Sequence, residues 1–281
     1  MKIEANAKIN LTLDVVKRRE DGYHELNMIM VPLTLSDSLD ITLSDHDEFI
    51  CDTLDLPMDN TNTMIKALHL MREKYHVKQC FKIHVKKRIP MEAGLAGGSA
   101  DAAAVMKAIN EICGLNRSLE ELSLLSKSIG ADVPFCIMNT CSLVQGIGET
   151  IIPFQMKDEI QILLVKPKEG VSTKLAYQTL DFKTCIHPDT LKCKEYLESG
   201  NYEMFCKTSG NTLEQSACRI TPIITEIKNK LKEYSFDLVL MSGSGSTVFA
   251  LTKEKDVINK AYNELKDTYA FVYSCEILKK T

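Results

Sequence analysis

Residues 90–104 read Pro-Met-Glu-Ala-Gly-Leu-Ala-Gly-Gly-Ser-Ala-Asp-Ala-Ala-Ala, and no other stretch of the 281-residue chain narrows its fold as much. Just before it, Phe81, Ile83 and Val85 alternate with Lys82, His84 and Lys86, the period of a strand. Just after it, the alanines open a helix near Ser99 to Ile112, which Gly114 ends. A strand that enters a loop with Gly94, Gly97 and Gly98 and leaves it through a helix N-terminus lets successive N–H groups converge on an anion without Cβ interference. Phosphate is the obvious guest. The alternative is a connector whose glycines merely let a small-residue helix pack closely on a sheet. Neither G-x-x-x-x-G-K-[ST] nor G-x-G-x-x-G occurs, and D-F-G and H-R-D are absent, which excludes the P-loop, Rossmann and protein-kinase readings.

Around this segment the pattern is mixed. Ile9, Leu11, Leu13 and Val15 alternate with Lys8, Asn10, Thr12 and Asp14, which predicts a half-buried first strand with Lys8 and Asn10 side by side on the face away from the core. A charged loop from Lys17 to Gly22 turns at Asp21-Gly22 into strands near Leu26 to Leu35 and Leu39 to Leu43. Asn62 or Thr63 caps a helix to about Tyr75. A helix near Leu119 to Ser128 ends at Gly130, and strands follow near Phe135 to Ile137 and Ser142 to Gln145. After Pro153 come a strand at Ile160 to Val165 and mostly helical patterns to about Lys232. Strands at Phe236 to Leu240, Val248 to Leu251 and Phe271 to Ser274, with a helix near Asp256 to Leu265, complete the chain. This order lacks regular βαβ repetition, so the expectation is an α+β chain in two lobes with a boundary near residue 155.

Lys+Arg 34 against Asp+Glu 38 leaves a net charge of -4, so the chain has no global field for a polyanion and a nucleic-acid surface is disfavoured. Any phosphate site must be built locally. The longest clean aliphatic run, Ile162 to Val165, falls far short of the ~20 residues of a membrane span, and Met1 to Glu4 lacks a signal peptide's apolar stretch. The expected location is the cytoplasm, with no membrane and no obligate protein partner. The 10 cysteines form no C-x-x-C pair and read as reduced thiols that pack as small apolar side chains.

Two further segments bear on the chemistry. Met241-Ser242-Gly243-Ser244-Gly245-Ser246-Thr247 lies between two predicted strands, as a hairpin tip or as a second glycine loop closing over a polyphosphate. Ser128 to Phe135 contains Gly130-Ala131-Asp132-Val133-Pro134, where Asp132 sits on a constrained backbone, either to cap its own turn or to act on a ligand.

With Ala7-Lys8-Ile9-Asn10-Leu11, these segments fall in the order and spacing of the GHMP family of small-molecule kinases, which the whole chain resembles. Within that family, Asp21-Gly22-Tyr23-His24 is the mark of the members that phosphorylate a cytidine-diphosphate-linked methylerythritol in non-mevalonate isoprenoid synthesis. The resemblance implies a ribosomal protein S5 domain 2-like N-terminal lobe over 1–154, for ATP and catalysis, and a ferredoxin-like C-terminal lobe over 155–281, for the substrate. It implies Asp132 as catalytic base and Lys8 as its cationic partner beside the transferring phosphoryl group, with Mg²⁺ on the ATP phosphates. It assigns ATP to Pro90, Gly94, Leu95, Ala96, Gly97, Gly98, Ser99 and Ala100, and to Gly243, Ser244 and Gly245. Ser99 meets phosphate or metal, or else caps its helix; Asn62 meets adenine, or else caps its own. For the acceptor it implies Asn10, and at the cytidine end Tyr23 and His24 with Tyr177 on the far side of the base, although Tyr177 read alone suits a helix core. The family's usual residues differ at Ser246 (Pro), Thr212 (Asp) and Met30 (often aromatic). Two rival functions remain: a kinase of another small alcohol such as mevalonate or homoserine, and a nucleotide sensor without catalysis, against which intact Lys8 and Asp132 argue.

Overall fold

The computed structural model describes residues 1–53, 57 and 59–279. Its packing divides the chain into two compact units. Unit 1 is Met1–Ala7, Leu35–Met91 and Ala96–Asn139; unit 2 is Lys8–Thr34, Glu92–Leu95 and Thr140–Thr281. The first two strands, β1 (Lys2–Arg18) and β2 (His24–Ser44), contribute to both, so packing groups the chain differently from a single cut near residue 155.

In unit 1, residues 38–44 of β2 pair antiparallel with β4 (Cys80–Lys86), and the short strand β3 (Glu48–Cys51) pairs parallel with β4. Phe81, Ile83 and Val85 are fully buried while Lys82 and Lys86 are exposed, the alternation expected of a sheet with one covered face. Two helices supply apolar partners: α1 (Thr63–Tyr75), with Met64, Leu68 and Met71 buried, and α2 (Gly97–Ile112), with Ala102 to Met106 and Ile109 buried. The Asn62 side chain accepts the N–H of Met64 and caps α1 as expected. Helix α3 (Leu119–Ser126) begins in a Ser118–Glu121 capping box, and α4 (Val133–Met138) follows it.

Unit 2 holds the rest. Residues 26–30 of β2 pair with β5 (Ser142–Gly146), which pairs with β6 (Thr150–Pro153). A separate antiparallel sheet has the order β10-β7-β9-β8, from β7 (Gln161–Lys166), β8 (Leu238–Met241), β9 (Val248–Thr252) and β10 (Phe271–Glu276). Helices α5 (Thr173–Gln178), α6 (Thr190–Ser199), α7 (Tyr202–Thr208), α8 (Glu214–Ile220) and α9 (Ile223–Leu231) connect β7 to β8, and α10 (Lys255–Leu265) connects β9 to β10. Numbered within this sheet the strand order is 4-1-3-2, the ferredoxin-like arrangement expected for this part of the chain.

Five expectations need correction. Strand β1 is covered on both faces, with Lys8 3%, Asn10 2% and Thr12 0% exposed, because other elements overlie the side that alternation assigned to solvent. The strands expected at 26–35 and 39–43 are one strand of 21 residues. Ser36-Asp37-Ser38 looks like a break, but the Asp37 carboxylate accepts the N–H groups of Arg88 and Ile89, so the polar residues are satisfied inside the strand. Residues 135–137 are helical rather than extended: Pro134 stands in the first turn of α4, and Asn139 in the left-handed region closes it. Helix α2 begins two residues early, with Ala96 (φ 60) as its N-cap residue, so Ser99 does not cap it. Strands β3 and β6 were not anticipated, being only four residues each.

Candidate functional site

In unit 1 the candidate residues gather at the start of α2. Gly97, Gly98 and Ser99 form its first turn, where N–H groups have no carbonyl partner within the helix, and Ala96 supplies the first helical acceptor, to Ala100. The turn is seated tightly. A Cβ on Gly97 would lie 3.0 Å from Ile89 Cγ2 and 3.5 Å from Lys87 Nζ, and one on Gly98 would lie 3.3 Å from Thr63 Oγ1. The glycines permit close packing, as the connector reading expects, and that packing fixes the helix end. Ala100 is buried, so its side chain belongs to the core. Pro90 lies half-buried in the loop before.

The turn that carries Asp132 abuts this helix start. A Cβ on Gly130 would lie 3.9 Å from Ser99 Oγ and 3.6 Å from Val133 Cγ2. Asp132 takes the N-cap position of α4, where its side chain makes no capping bond to the helix. It is half-buried. Beneath the first turns of α2 lies a group that sequence reading passed over. Lys87 Nζ donates to Asp101 Oδ2 at 2.6 Å and to Asp37, and all three side chains are buried. Burial pushes the Asp101 carboxyl up to about 7, with Lys87 opposing and Asp37 adding to the rise.

Unit 2 brings another set together. Period two had placed Lys8 beside Asn10, and Lys8 Nζ donates to Asn10 Oδ1 at 2.9 Å and to the Gly94 carbonyl at 3.1 Å. Leu95 packs fully buried, and its carbonyl accepts the Lys8 N–H at 3.1 Å. The loop between β8 and β9 closes on the same point: Ser242 Oγ donates to the Gly94 carbonyl at 3.0 Å, and a Cβ on Gly243 would lie 3.4 Å from Lys8 Nζ. Asn211, not singled out by sequence, holds that loop by donating to the carbonyls of Met241 and Gly243, both at 2.8 Å. Thr173 and Ser244 hydroxyls meet at 2.7 Å. Gly94 and Leu95 thus belong with Gly243, Ser244 and Gly245 in unit 2, while residues 96–100 belong to unit 1.

The expected aromatic residues are also in unit 2. His24 and Tyr177 have ring centroids 4.8 Å apart, and Phe182 lies stacked with His24 at 6.2 Å. Tyr177 is half-buried on α5, which overturns its reading as core. Tyr23 is 61% exposed beside the turn, where the Asp21 carboxylate accepts its N–H at 3.0 Å. Burial, and then the Arg18 charge, hold the His24 imidazole below its ordinary value, which favours a neutral ring able to accept and donate at once. Phe182 had no signal in the sequence beyond being aromatic.

Of the three family departures two have polar partners and one is buried. Ser246 Oγ donates to the Glu169 carbonyl at 2.5 Å, Thr212 Oγ1 accepts the Val15 N–H at 3.2 Å, and Met30 is 1% exposed within β2. The 10 cysteines are free thiols, as expected. Among the described residues, no helix is long and apolar enough to cross a membrane.

Residues 62–140 match the GHMP kinases N terminal domain and residues 193–270 match GHMP kinases C terminal. A 4-diphosphocytidyl-2-C-methyl-D-erythritol kinase of Bacillus cytotoxicus is 39% identical over 278 residues, covering 98% of this chain and 96% of the relative. A crystal structure of 4-(cytidine 5'-diphospho)-2C-methyl-D-erythritol kinase superposes with a TM-score of 0.85 at 29% identity, covering 100% of both chains. The homoserine kinase of Cytophaga hutchinsonii reaches a TM-score of 0.74 at 18% identity, over 97% of this chain and 95% of that one, a likeness of fold alone.

Gly94 has φ 71, and a Cβ there would stand 2.2 Å from the Ser242 carbonyl oxygen, whereas Gly114 has φ 60 and open space around it. Both Gly→Ala changes carry the left-handed penalty of about 1–2 kcal/mol, so Gly94→Ala should lose clearly more stability than Gly114→Ala in urea unfolding. Equal losses would mean that the two loops are not packed on each other.

Proposed function

The chain belongs to the GHMP kinases, and from that premise we propose that it transfers the γ-phosphoryl group of ATP to the 2-hydroxyl of 4-diphosphocytidyl-2-C-methyl-D-erythritol, in the non-mevalonate (MEP) route to isoprenoid precursors. It is an ATP-dependent kinase of a small molecule. The observation that carries the acceptor is the grouping of His24 with Tyr177 and Phe182, rings suited to stack on a base, with one ring that can also read its polar edge. A kinase of a small aliphatic alcohol has no use for it. Whole-length similarity to kinases of that name supports the same reading.

Roles are assigned residue by residue. Asp132 accepts the proton of the attacking hydroxyl. Lys8 supplies positive charge for the transferring group, and its ammonium is already fixed by Asn10 and the Gly94 carbonyl. A loose phosphoryl-transfer transition state asks for alignment and charge neutralisation more than for a strong base, so a half-buried carboxylate suffices. The N–H groups at the start of α2 hold the phosphates, Ser99 contributing its hydroxyl, and the loop at Gly243–Gly245 contributes further amides. Asn62 reaches adenine only with atoms its capping role leaves available, while Pro90, Leu95, Ala96 and Ala100 act through the backbone. Asn10 orients the acceptor's alcohol end, and Tyr23, His24 and Tyr177 hold cytidine.

Mg²⁺ bound to the ATP phosphates would neutralise the charge on their oxygens. The cation would arrive on the nucleotide, with the Ser99 hydroxyl as its protein contact. We divide the functions between 1–154, for ATP and catalysis, and 155–281, for the acceptor, with Asn10, Tyr23 and His24 of the first also serving the acceptor. The reaction so drawn needs no nucleic acid, membrane or protein partner and belongs in the cytoplasm.

An acceptor panel with ATP and Mg²⁺ tests this directly: turnover with the cytidylated methylerythritol and none with mevalonate or homoserine is expected, and the reverse would transfer the chain to another alcohol. Asp132→Ala should lower kcat by at least ~10²-fold while ATP binding changes little, and near-normal turnover would remove Asp132 from the role of base. Tyr177→Ala should raise KM for the acceptor by the equivalent of ~1–3 kcal/mol and leave KM for ATP alone. Equal weakening of both substrates would take Tyr177 out of the acceptor site.

A further inference from the structure

The assigned roles leave unused the most deeply buried charged group of unit 1. Asp37 and Asp101 are 0% and 1% exposed, and the Lys87 side chain that joins them is 8% exposed. Its bonds run in a definite direction. Asp37, on β2, accepts the N–H groups of Arg88 (2.5 Å) and Ile89 (2.8 Å) through one oxygen and the Lys87 ammonium through the other. Lys87 then reaches Asp101, in the second turn of α2, at 2.6 Å. Ile89 and Lys87 are also what the missing side chain of Gly97 would touch, at 3.0 Å and 3.5 Å. The first turn of α2 therefore rests on the same two residues that Asp37 holds, one by its backbone and one by its ammonium.

Stability alone does not explain this group. Burying two carboxylates for one ammonium is unfavourable, and apolar residues of similar volume usually serve a core as well or better. Asp101 is flanked by Ala100, Ala102, Ala103 and Ala104, all buried, and its Oδ1 has no hydrogen-bond partner. What ions with short, directional bonds supply instead is a fixed spacing between β2, the end of β4 and α2, where an apolar contact would slide. Fixed donors are what an anion cradle requires, because catalysis by oriented N–H groups depends on their being in place before the charge arrives.

We propose that Lys87 and Asp101 are positioning residues for phosphoryl transfer, which with Asp37 hold the first turn of α2 and its N–H groups at the place the ATP phosphates occupy. The inference rests on the assignment of the triphosphate to that turn. The test replaces the charges by groups of similar shape, Asp37→Asn/Lys87→Met/Asp101→Leu in one chain, and reads melting temperature, both KM values and amide hydrogen exchange over 97–101 without nucleotide.

The expected result is a folded protein with an unchanged or higher melting temperature and an unmoved KM for the acceptor. KM for ATP should rise about tenfold or more, and exchange of the Ala100 amide, which is bonded to the Ala96 carbonyl, should quicken. Unchanged exchange with unchanged KM for ATP would overturn the clamp. Faster exchange with unchanged KM for ATP would overturn instead the placement of the phosphates at this turn, and with it the proposal. Should the triple variant not fold, Asp101→Asn is measured by the same readouts against Asp101→Glu. Rescue of ATP affinity by Glu but not by Asn supports the clamp, and equal, wild-type affinity in both overturns it.

Discussion

One carbonyl oxygen, that of Gly94, organises the polar centre of unit 2. It accepts from Lys8 Nζ and from Ser242 Oγ, and the absence of a side chain at Gly94 is what lets the Ser242 backbone come so near. A buried ammonium is tolerable only when it has acceptors, and here Asn10 and a carbonyl take one donor each. The Gly94 loop could not be moved without taking an acceptor from the lysine. The position of the Lys8 ammonium thus follows from a main-chain contact as well as from the strand that bears it.

Glycine serves a second purpose in this chain, as space for a neighbour's polar atom. Where a side chain at 97 would stand, the Lys87 ammonium lies within 3.5 Å; where one at 243 would stand, the Lys8 ammonium lies within 3.4 Å. In each unit a cation lies in van der Waals reach of the place a glycine leaves free. For that reason Val at 97 would press first on Ile89 and Lys87, and its effect on an anion would come through them.

The sequence carried much of this because the informative features are local. Alternation along residues 8–15 placed Lys8 and Asn10 together, and the capping chemistry of Asn62 marked the start of α1. What stayed hidden depends on partners far along the chain. Nothing near Asp37 says that its carboxylate will bind the amides of Arg88 and Ile89, so β2 reads as two strands. Val133 to Met138 is apolar and short, too brief for periodicity to separate helix from strand. The burial of β1 on both faces, the hold of Asn211 on Met241 and Gly243, and the third ring at Phe182 are likewise products of tertiary approach.

Thr212 stands where the family usually carries aspartate, and its hydroxyl lies 3.2 Å from Asp14 Oδ1, whose other neighbour is His187 Nδ1 at 2.6 Å. An aspartate restored at 212 would set two anions against each other across that gap while forfeiting the donor that reaches the Ile186 carbonyl. Positions 14 and 212 are consequently coupled through this one hydrogen bond. Placing aspartate at 212 makes sense only with a change at Asp14, so engineering of this enzyme has to treat the two as a single unit of change.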